Sequence, residues 1–482
     1  MPFFGCGDVS SPKILMSVSG YLLVGLLDRA LSVAILPITT RLFSTTDFAA
    51  LIAINNVTAL INLVAVFFFV RSLTPTVASL HDEDERRNMA TTIFWITAAI
   101  GALSFSAVWA MAPKIGETLK QPEGFPSLLR IAVASAFAAC LGQALLALSR
   151  ALERHRLSLV IQTLAIFTQA AVMLYLLLIL RLGLESLFWA SLASGIIILV
   201  GHLPWLGHYL LGRASAQHLR QAAVMSAHLL ALQIGTLLVL NCSGLILNYV
   251  DRPDDAALFG IASGAASLGL IAALAFDSVW TAHFLRRRND PGIHQAATRM
   301  FEVHSAVLLV GGTAGCLFAR EIFTVFVGPR FVDAYALLPP LIGCVVLFSF
   351  IRNFGQGLLL QARPYRSAWI GCATAAIYLG IGVPAAGHFG AYGLIGAMAA
   401  ALFILLVCSQ LESFRMVPIR YPWGPHAALW ISASILPALL AFSELSWSNF
   451  ALKIAVLVTV SAVAATRIWF ASPKSILHQK QS

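Results

Sequence analysis

Four ionisable side chains fall where an apolar chain should not hold them. Asp28 and Arg29 are adjacent near the middle of the apolar stretch 14–40. Arg352 lies near the middle of 336–362, and Asp277 towards one end of 256–283. A charge at the centre of a bilayer costs about 2.5–3.5 kcal/mol on insertion scales, so such groups are kept where they face protein or a wet cavity. A guanidinium forks onto phosphate oxygens, which makes Arg29 and Arg352 candidates for binding an anionic cargo. Asp28 and Asp277 would balance them or take up a coupling proton. The competing reading is structural: buried pairs joining helices, or long side chains reaching for an interface. Asn353 and Gln356 accompany Arg352, with Gln356 four residues on and so on the same helical face. Gly355 and Gly357 interleave with them. Gln233, on 223–249, completes the set of polar residues expected to line a lumen. Asn55, Asn56, Asn62 and Asn241 read instead as interhelical hydrogen-bond partners, worth about 0.6 kcal/mol each.

These residues need membrane-spanning helices to carry them. The chain is 59% hydrophobic and 11% charged over 482 residues, with mean hydropathy +0.85, against about 25% charged in an ordinary soluble domain. Fourteen apolar stretches are long enough to span a bilayer, which takes about 20 residues: 14–40, 47–70, 91–112, 127–149, 157–180, 185–206, 223–249, 256–283, 303–325, 336–362, 368–388, 391–412, 426–443 and 450–470. The expected fold is therefore all-α and polytopic, with short loops that make consecutive helices antiparallel. No polar stretch reaches the size of a soluble domain. The N-terminus lacks the charged region and cleavage site of a removed signal, so the first span is expected to remain. Seven cysteines lie mostly inside apolar segments without metal-like spacing. The acidic run 82–85 beside Arg86 and Arg87 reads as a solvated turn rather than a metal site. No P-loop, nucleophile elbow or dinucleotide fingerprint is present, so no cofactor and no ATP hydrolysis are expected, and energy must come from ion or substrate gradients.

Loop charges orient the chain. With the N-terminus inside, 20 Lys and Arg fall in inner segments and 9 in outer ones, Arg29 and Arg352 being intramembrane among the 31 in all. That bias places both termini in the cytoplasm. It also explains the net charge of +10 without nucleic acid, and Arg286, Arg287 and Arg288 should touch anionic headgroups. A weak repeat pairs Asp47-Phe48-Ala49-Ala50-Leu51 with Asp254-Asp255-Ala256-Ala257-Leu258. Six-span halves facing the same way imply an axis along the membrane normal, with cargo handled between the halves near the midplane.

Three stretches carry a family likeness. Leu36-Pro37-Ile38-Thr39-Thr40-Arg41-Leu42-Phe43-Ser44-Thr45-Thr46-Asp47-Phe48 is the first. Arg320-Glu321-Ile322-Phe323-Thr324-Val325-Phe326-Val327-Gly328-Pro329-Arg330-Phe331, followed by Ala334, Ala336 and Leu337-Leu338-Pro339, is the second. Gly390-Ala391-Tyr392-Gly393-Leu394-Ile395-Gly396-Ala397-Met398-Ala399 is the third. Over most of its first 412 residues the chain resembles the polysaccharide and O-antigen flippases of the multidrug/oligosaccharidyl-lipid/polysaccharide (MOP) exporter superfamily. The resemblance implies two six-helix bundles in a V, here 1–222 and 223–412, with 413–482 adding two further helices and a cytoplasmic tail. It implies a non-enzymatic flippase of the cell inner membrane. Such a protein moves a polyprenyl-pyrophosphate-linked oligosaccharide to the outer leaflet by alternating access, for surface polysaccharides such as O-antigen, lipopolysaccharide or exopolysaccharide. Membrane lipids, a glycan polymerase and glycosyltransferases are the expected partners. A multidrug cation antiporter of the same superfamily is the nearest rival; it would want an acidic or aromatic cavity. A membrane-embedded glycan polymerase or ligase would want a large outer loop, and the longest here, 113–124 and 320–335, are short. A lipid II flippase differs by substrate alone.

Overall fold

The computed structural model describes residues 12–78, 80, 82–231, 234–270, 293–354, 365–419, 421, 423, 430 and 447–470, with Arg29 and Asn353 among those described by backbone alone. The helices are α1 Pro12–Leu42, α2 Thr45–Ala78, α3 Glu83–Thr118, α4 Phe125–Ala151, α5 His155–Leu174, α6 Glu185–Leu206, α7 Ala216–Ala231, α8 Ile234–Tyr249, α9 Pro253–Ala266, α10 Ile293–Leu317, α11 Ala319–Phe326, α12 Leu338–Phe354, α13 Tyr365–Met416 and α14 Trp447–Phe470. No strand occurs among the described residues. Nine helices among them are long and apolar enough to cross a membrane, and Ile234–Tyr249 is a shorter apolar one. Most of the expected span 426–443 and the second half of 256–283 lie outside the described residues.

Local chemistry explains the ends. The α1–α2 turn is a capping box. The Asp47 amide donates to Ser44 Oγ at 3.1 Å, and the Ser44 amide donates back to Asp47 Oδ2 at 2.9 Å. Phe43 and Phe48 meet edge to face at 5.9 Å and staple the same turn. The second copy of this repeat, Asp254 and Asp255, likewise opens a helix, α9. Pro339 and Pro340 fall in the first turn of α12, where a missing amide costs nothing. Spans 368–388 and 391–412 form one long helix broken at Gly390, whose φ of 59° and ψ of −141° suit glycine alone.

Contacts divide the chain into two compact units, Met1–Pro253 and Asp254–Ser482. The division expected from the sequence, 222/223, falls within the first of these. The stretch between goes with the first unit because α7 and α8 both pack on α2. That unit is built around α4, which packs most extensively on α6 and also on α2 and α3. In lipid, close approach of small residues drives such packing. A Cβ added to Gly195 would meet Ala138 at 3.0 Å, and one on Gly142 would meet Ile198 at 3.0 Å. Phe69, Leu73, Met89, Ile93, Leu145 and Leu206 fill the centre. In the second unit α10 packs against α14 and α12, and α12 against α13.

Candidate functional site

Asp28 is exposed on α1, in the middle of that helix. The side chains of Arg29 and Asn353 lie outside the described residues, as do Gln233, Asp277 and Gln356 entirely. Arg352 is half-buried in the last turn of α12.

The surroundings of Arg352 in the second unit are aromatic and polar. One turn before it, Ser349 Oγ lies 2.7 Å from His304 Nε2 of α10, both residues being buried. Trp430 Nε1 donates to Ser305 Oγ at 3.1 Å. Phe350 packs against Phe301 at 5.5 Å, His304 at 5.8 Å and Trp423 at 5.2 Å, while Tyr421 stacks on Phe301 at 5.3 Å. Burial pushes the Tyr421 phenol upward, so it stays neutral. Edge-to-face rings of this kind add rigidity beyond the area they bury. Sequence reasoning passed over His304. Its signal was the spacing Phe301, His304, Ser305, Leu308, the i, i+3, i+4, i+7 stripe of one buried helix face.

In the first unit the polar surface is a stripe on α2. Asn55 is exposed, and Thr58 and Asn62 are half-exposed; their spacing puts all three on one side of the helix. Thr58 is turned back onto its own helix, donating to the carbonyls of Ile54 and Asn55 at 3.0 Å each. The side-chain oxygen of Asn62 is buried without a hydrogen-bond partner. Asn56, one residue off the stripe, faces α8. A Cβ on Gly244 there would lie 2.3 Å from Asn56 Nδ2 and 2.3 Å from Ile52 Cγ2. Asn241 of α8 spends its amide on its own helix, donating to Leu237 O at 2.7 Å. From the α1–α2 turn, Asp28 and Thr58 are both about 20 Å along their helices at 1.5 Å per residue, so the acid and the amide stripe share a depth. On this side of α2, then, Asn55 is exposed and the oxygen of Asn62 is buried. Amides and a guanidinium can hydrogen-bond hydroxyls and phosphate. Nothing in this set forms a nucleophile–base pair, and no cluster among the described residues has the donors to hold a metal.

The far end of the first unit, around the α2–α3 turn, is a collar. Thr91 Oγ1 donates to Tyr209 O at 2.7 Å and accepts from the Gly212 amide at 2.8 Å. Asn88 Oδ1 accepts from the Arg213 amide at 2.7 Å, and Thr92 Oγ1 from the Ser215 amide at 3.2 Å. Trp95 Nε1 donates to Leu210 O at 3.0 Å, Arg87 to Leu211 O at 3.1 Å, and Tyr209 Oη to Glu83. Every polar backbone group of the 209–215 segment that this set touches is bonded to one face of α3.

The model of a family described as "Polysaccharide biosynthesis protein" matches residues 38–336, well over half of the chain. No curated protein sequence matches. Among solved structures, a lipid II flippase MurJ in an inward closed conformation is similar with a TM-score of 0.65 and 12% identity, over 95% of this chain and 99% of that one. An inward-facing multidrug resistance transporter of the MATE family and MOP superfamily gives 0.54 and 14%, over 85% and 94%. A MOP superfamily transporter from Pyrococcus furiosus, described by the reverse polarity of its binding pocket, gives 0.55 and 13%, over 84% and 94%. At such identities the likeness establishes the fold.

Proposed function

We propose, from the premise that this chain belongs to the polysaccharide biosynthesis protein family of the MOP superfamily, that it carries a polyprenyl-pyrophosphate-linked oligosaccharide from the cytoplasmic to the outer leaflet. The observation that carries the reading is a conjunction. A polysaccharide biosynthesis family model covers most of the first unit, and the whole chain has the fold of a lipid II flippase.

On this reading both termini are cytoplasmic in a cell inner membrane. The α2–α3 collar faces the cytoplasm and the α3–α4 turn faces outward. The moving bodies are 1–222 and 223–412, with 413–482 riding on the second. Arg29 and Arg352 attract the pyrophosphate, because a guanidinium offers forked donors to its oxygens. Asn55 and Asn62, with Gln233, Asn353 and Gln356, hydrogen-bond sugar hydroxyls. Asp28 and Asp277 offset the arginines or take a coupling proton. The lipid tail stays in the bilayer while the headgroup crosses. A glycan polymerase and glycosyltransferases would act on the cargo before and after it crosses.

The test is genetic and chemical. Deleting the gene should leave a lipid-linked glycan in the cytoplasmic leaflet. Arg29→Ala and Arg352→Ala should each fail to restore export at normal protein levels. Full export in both variants would remove the cationic-site reading. The second reading, a multidrug cation antiporter, is favoured by one feature, the exposed carboxylate of Asp28 in mid-helix. Loss of organic-cation efflux on deletion, with glycan export intact, would select it.

A further inference from the structure

We propose that Lys120, Gln121, Asn248 and Asp251 form a releasable latch that holds α8 shut over α2 at the outer face. On this proposal, opening the latch is what lets cargo leave outward. The inference rests on the flippase reading and orientation above.

Both halves of the latch are helix C-caps of one kind. At the end of α3 the Lys120 amide donates to Glu117 O at 3.1 Å and the Gln121 amide to Gly116 O at 2.9 Å. At the end of α8 the Asp251 amide donates to Asn248 O at 3.1 Å and the Arg252 amide to Leu247 O at 2.9 Å. This double bond pattern requires a left-handed residue just past the cap, a place usually given to glycine. Here Lys120 holds φ at 51° and Asp251 at 66°, a conformation that costs a residue with a Cβ. Of the four such residues described, with Glu153 and Arg181, these two pair: Lys120 Nζ reaches Asp251 Oδ2 at 2.8 Å. Glycine at either site would relax the cap and lose the pair.

A second bond lies beneath the first. Gln121 Nε2 donates to Asn248 Oδ1 at 2.9 Å, and Asn248 Nδ2 donates onward to Gly244 O at 2.8 Å. Gly244 is the residue whose missing side chain lets α8 rest on Ile52 and Asn56. The contacts thus run in one line from the outer surface down to the edge of the amide stripe on α2. Lifting α8 would bare Ile52 and Asn56, beside the stripe, to the outside.

Exposure argues for a latch rather than a permanent joint. The Lys120 and Asp251 side chains are 58% and 63% exposed, and ion pairs this wet are weak and screened by salt. The pair is the wet part of the latch: Asn248 beneath it is 2% exposed, and the α2–α3 collar is as dry around Thr91 and Tyr209, at 2% and 5%. The chain leaves the first compact unit at Pro253, immediately beyond Asp251, so a pull from the C-terminal part of the chain reaches the latch directly.

The experiment places a cysteine at Ile52, under Gly244, with the native cysteines replaced, and measures its alkylation in cells by a membrane-impermeant maleimide. Lys120→Gly and Lys120→Glu should each raise the rate about two- to five-fold, the range expected for an exposed pair. The swap Lys120→Glu with Asp251→Lys should bring it back. Lys120→Gly favours the cap geometry, so its effect is not unfolding. Unchanged rates in both single variants would overturn the latch, as would failure of the swap to restore the slow rate. Separately, a reducible cross-link between Lys120→Cys and Asp251→Cys should abolish glycan export until reductant is added. Continued export from fully cross-linked protein would overturn the latch as an export step. A latch that responds in the alkylation assay, in a strain whose deletion spares every lipid-linked glycan, would sink the flippase reading and leave the latch standing.

Discussion

The most exacting energetic test lies in the second unit, where Lys453 of α14 donates to Glu321 of α11 at 2.7 Å. Lys453 is fully buried, Glu321 is 22% exposed, and the second carboxylate oxygen of Glu321 has no hydrogen-bond partner. Breaking a buried pair by removing one partner costs about 3–5 kcal/mol, because the other charge is stranded. The cost here must be asymmetric. Glu321→Leu strands an ammonium that water cannot reach, so the full 3–5 kcal/mol is expected. Lys453→Met strands a carboxylate on a side chain that is 22% exposed and can turn towards water, so roughly half of that is expected. The double variant removes both charges and should recover most of the loss, since an apolar replacement of a buried pair is often neutral or better. Phe318 and Phe450, 5.6 Å apart, keep the helices in register throughout. Thermal unfolding of the purified protein reads the series, at about 2–4 °C per kcal/mol for a unit of this size. Equal losses in the two single variants, or a double variant no better than Glu321→Leu, would refute the reasoning.

Other contacts set three further outcomes. Gly244→Leu should cost about 1–3 kcal/mol by overpacking, because even a Cβ there lies 2.3 Å from two α2 side chains. Gly264→Leu, where nothing lies within 4 Å, should not, and equal melting curves for the pair would contradict the close seat of α8 on α2. Ser44→Ala and Asp47→Ala should each lower stability by about 1 kcal/mol, and together by less than the sum because they share one reciprocal pair; additive losses in melting experiments would argue against the capping box. Asn62→Leu should leave the melting temperature unchanged or raised, since it removes a buried unpaired oxygen, yet lower glycan export; export at the parental rate would exclude Asn62 from the cargo path.

What the residue order discloses is local chemistry. The α1–α2 turn is legible because a capping box and its staple lie within six consecutive residues, Phe43 to Phe48. The break between the eleventh and twelfth spans is legible because Gly390 holds a backbone conformation denied to other residues. Hydropathy misplaces α7, whose first turns carry Gln217, His218, Arg220 and Gln221 and so drop below any apolar threshold although the helix starts at Ala216. The same blindness shifts the ninth span: α10 begins at Ile293, ten residues before the apolar stretch does. The His304–Ser349 bond joins residues 45 apart and the Lys120–Asp251 pair residues 131 apart. Neither spacing has a period that a chain reading could detect. Asn55, Thr58 and Asn62 had a readable period, but an amide on an apolar helix serves a neighbour as readily as a cavity, and only exposure separates the two.

The two ends of the first unit differ in what it would take to open them. At the collar, side chains of α3 bond to backbone groups of the 209–215 segment, and breaking the buried Thr91–Tyr209 bond would leave a backbone carbonyl unsatisfied in a dry place. At the α3–α4 turn the Lys120–Asp251 pair lies in water, which replaces it at little cost, while the Gln121–Asn248 bond beneath it ends on a buried amide. The body of the unit is held at the α4–α6 seam by close approach at Gly142 and Gly195. A force applied along the chain beyond Pro253 would reach the Lys120–Asp251 pair, two residues away, before the collar or the α4–α6 seam. Of the restraints on α8, the Lys120–Asp251 pair is the one weak enough for a step repeated at every transport cycle.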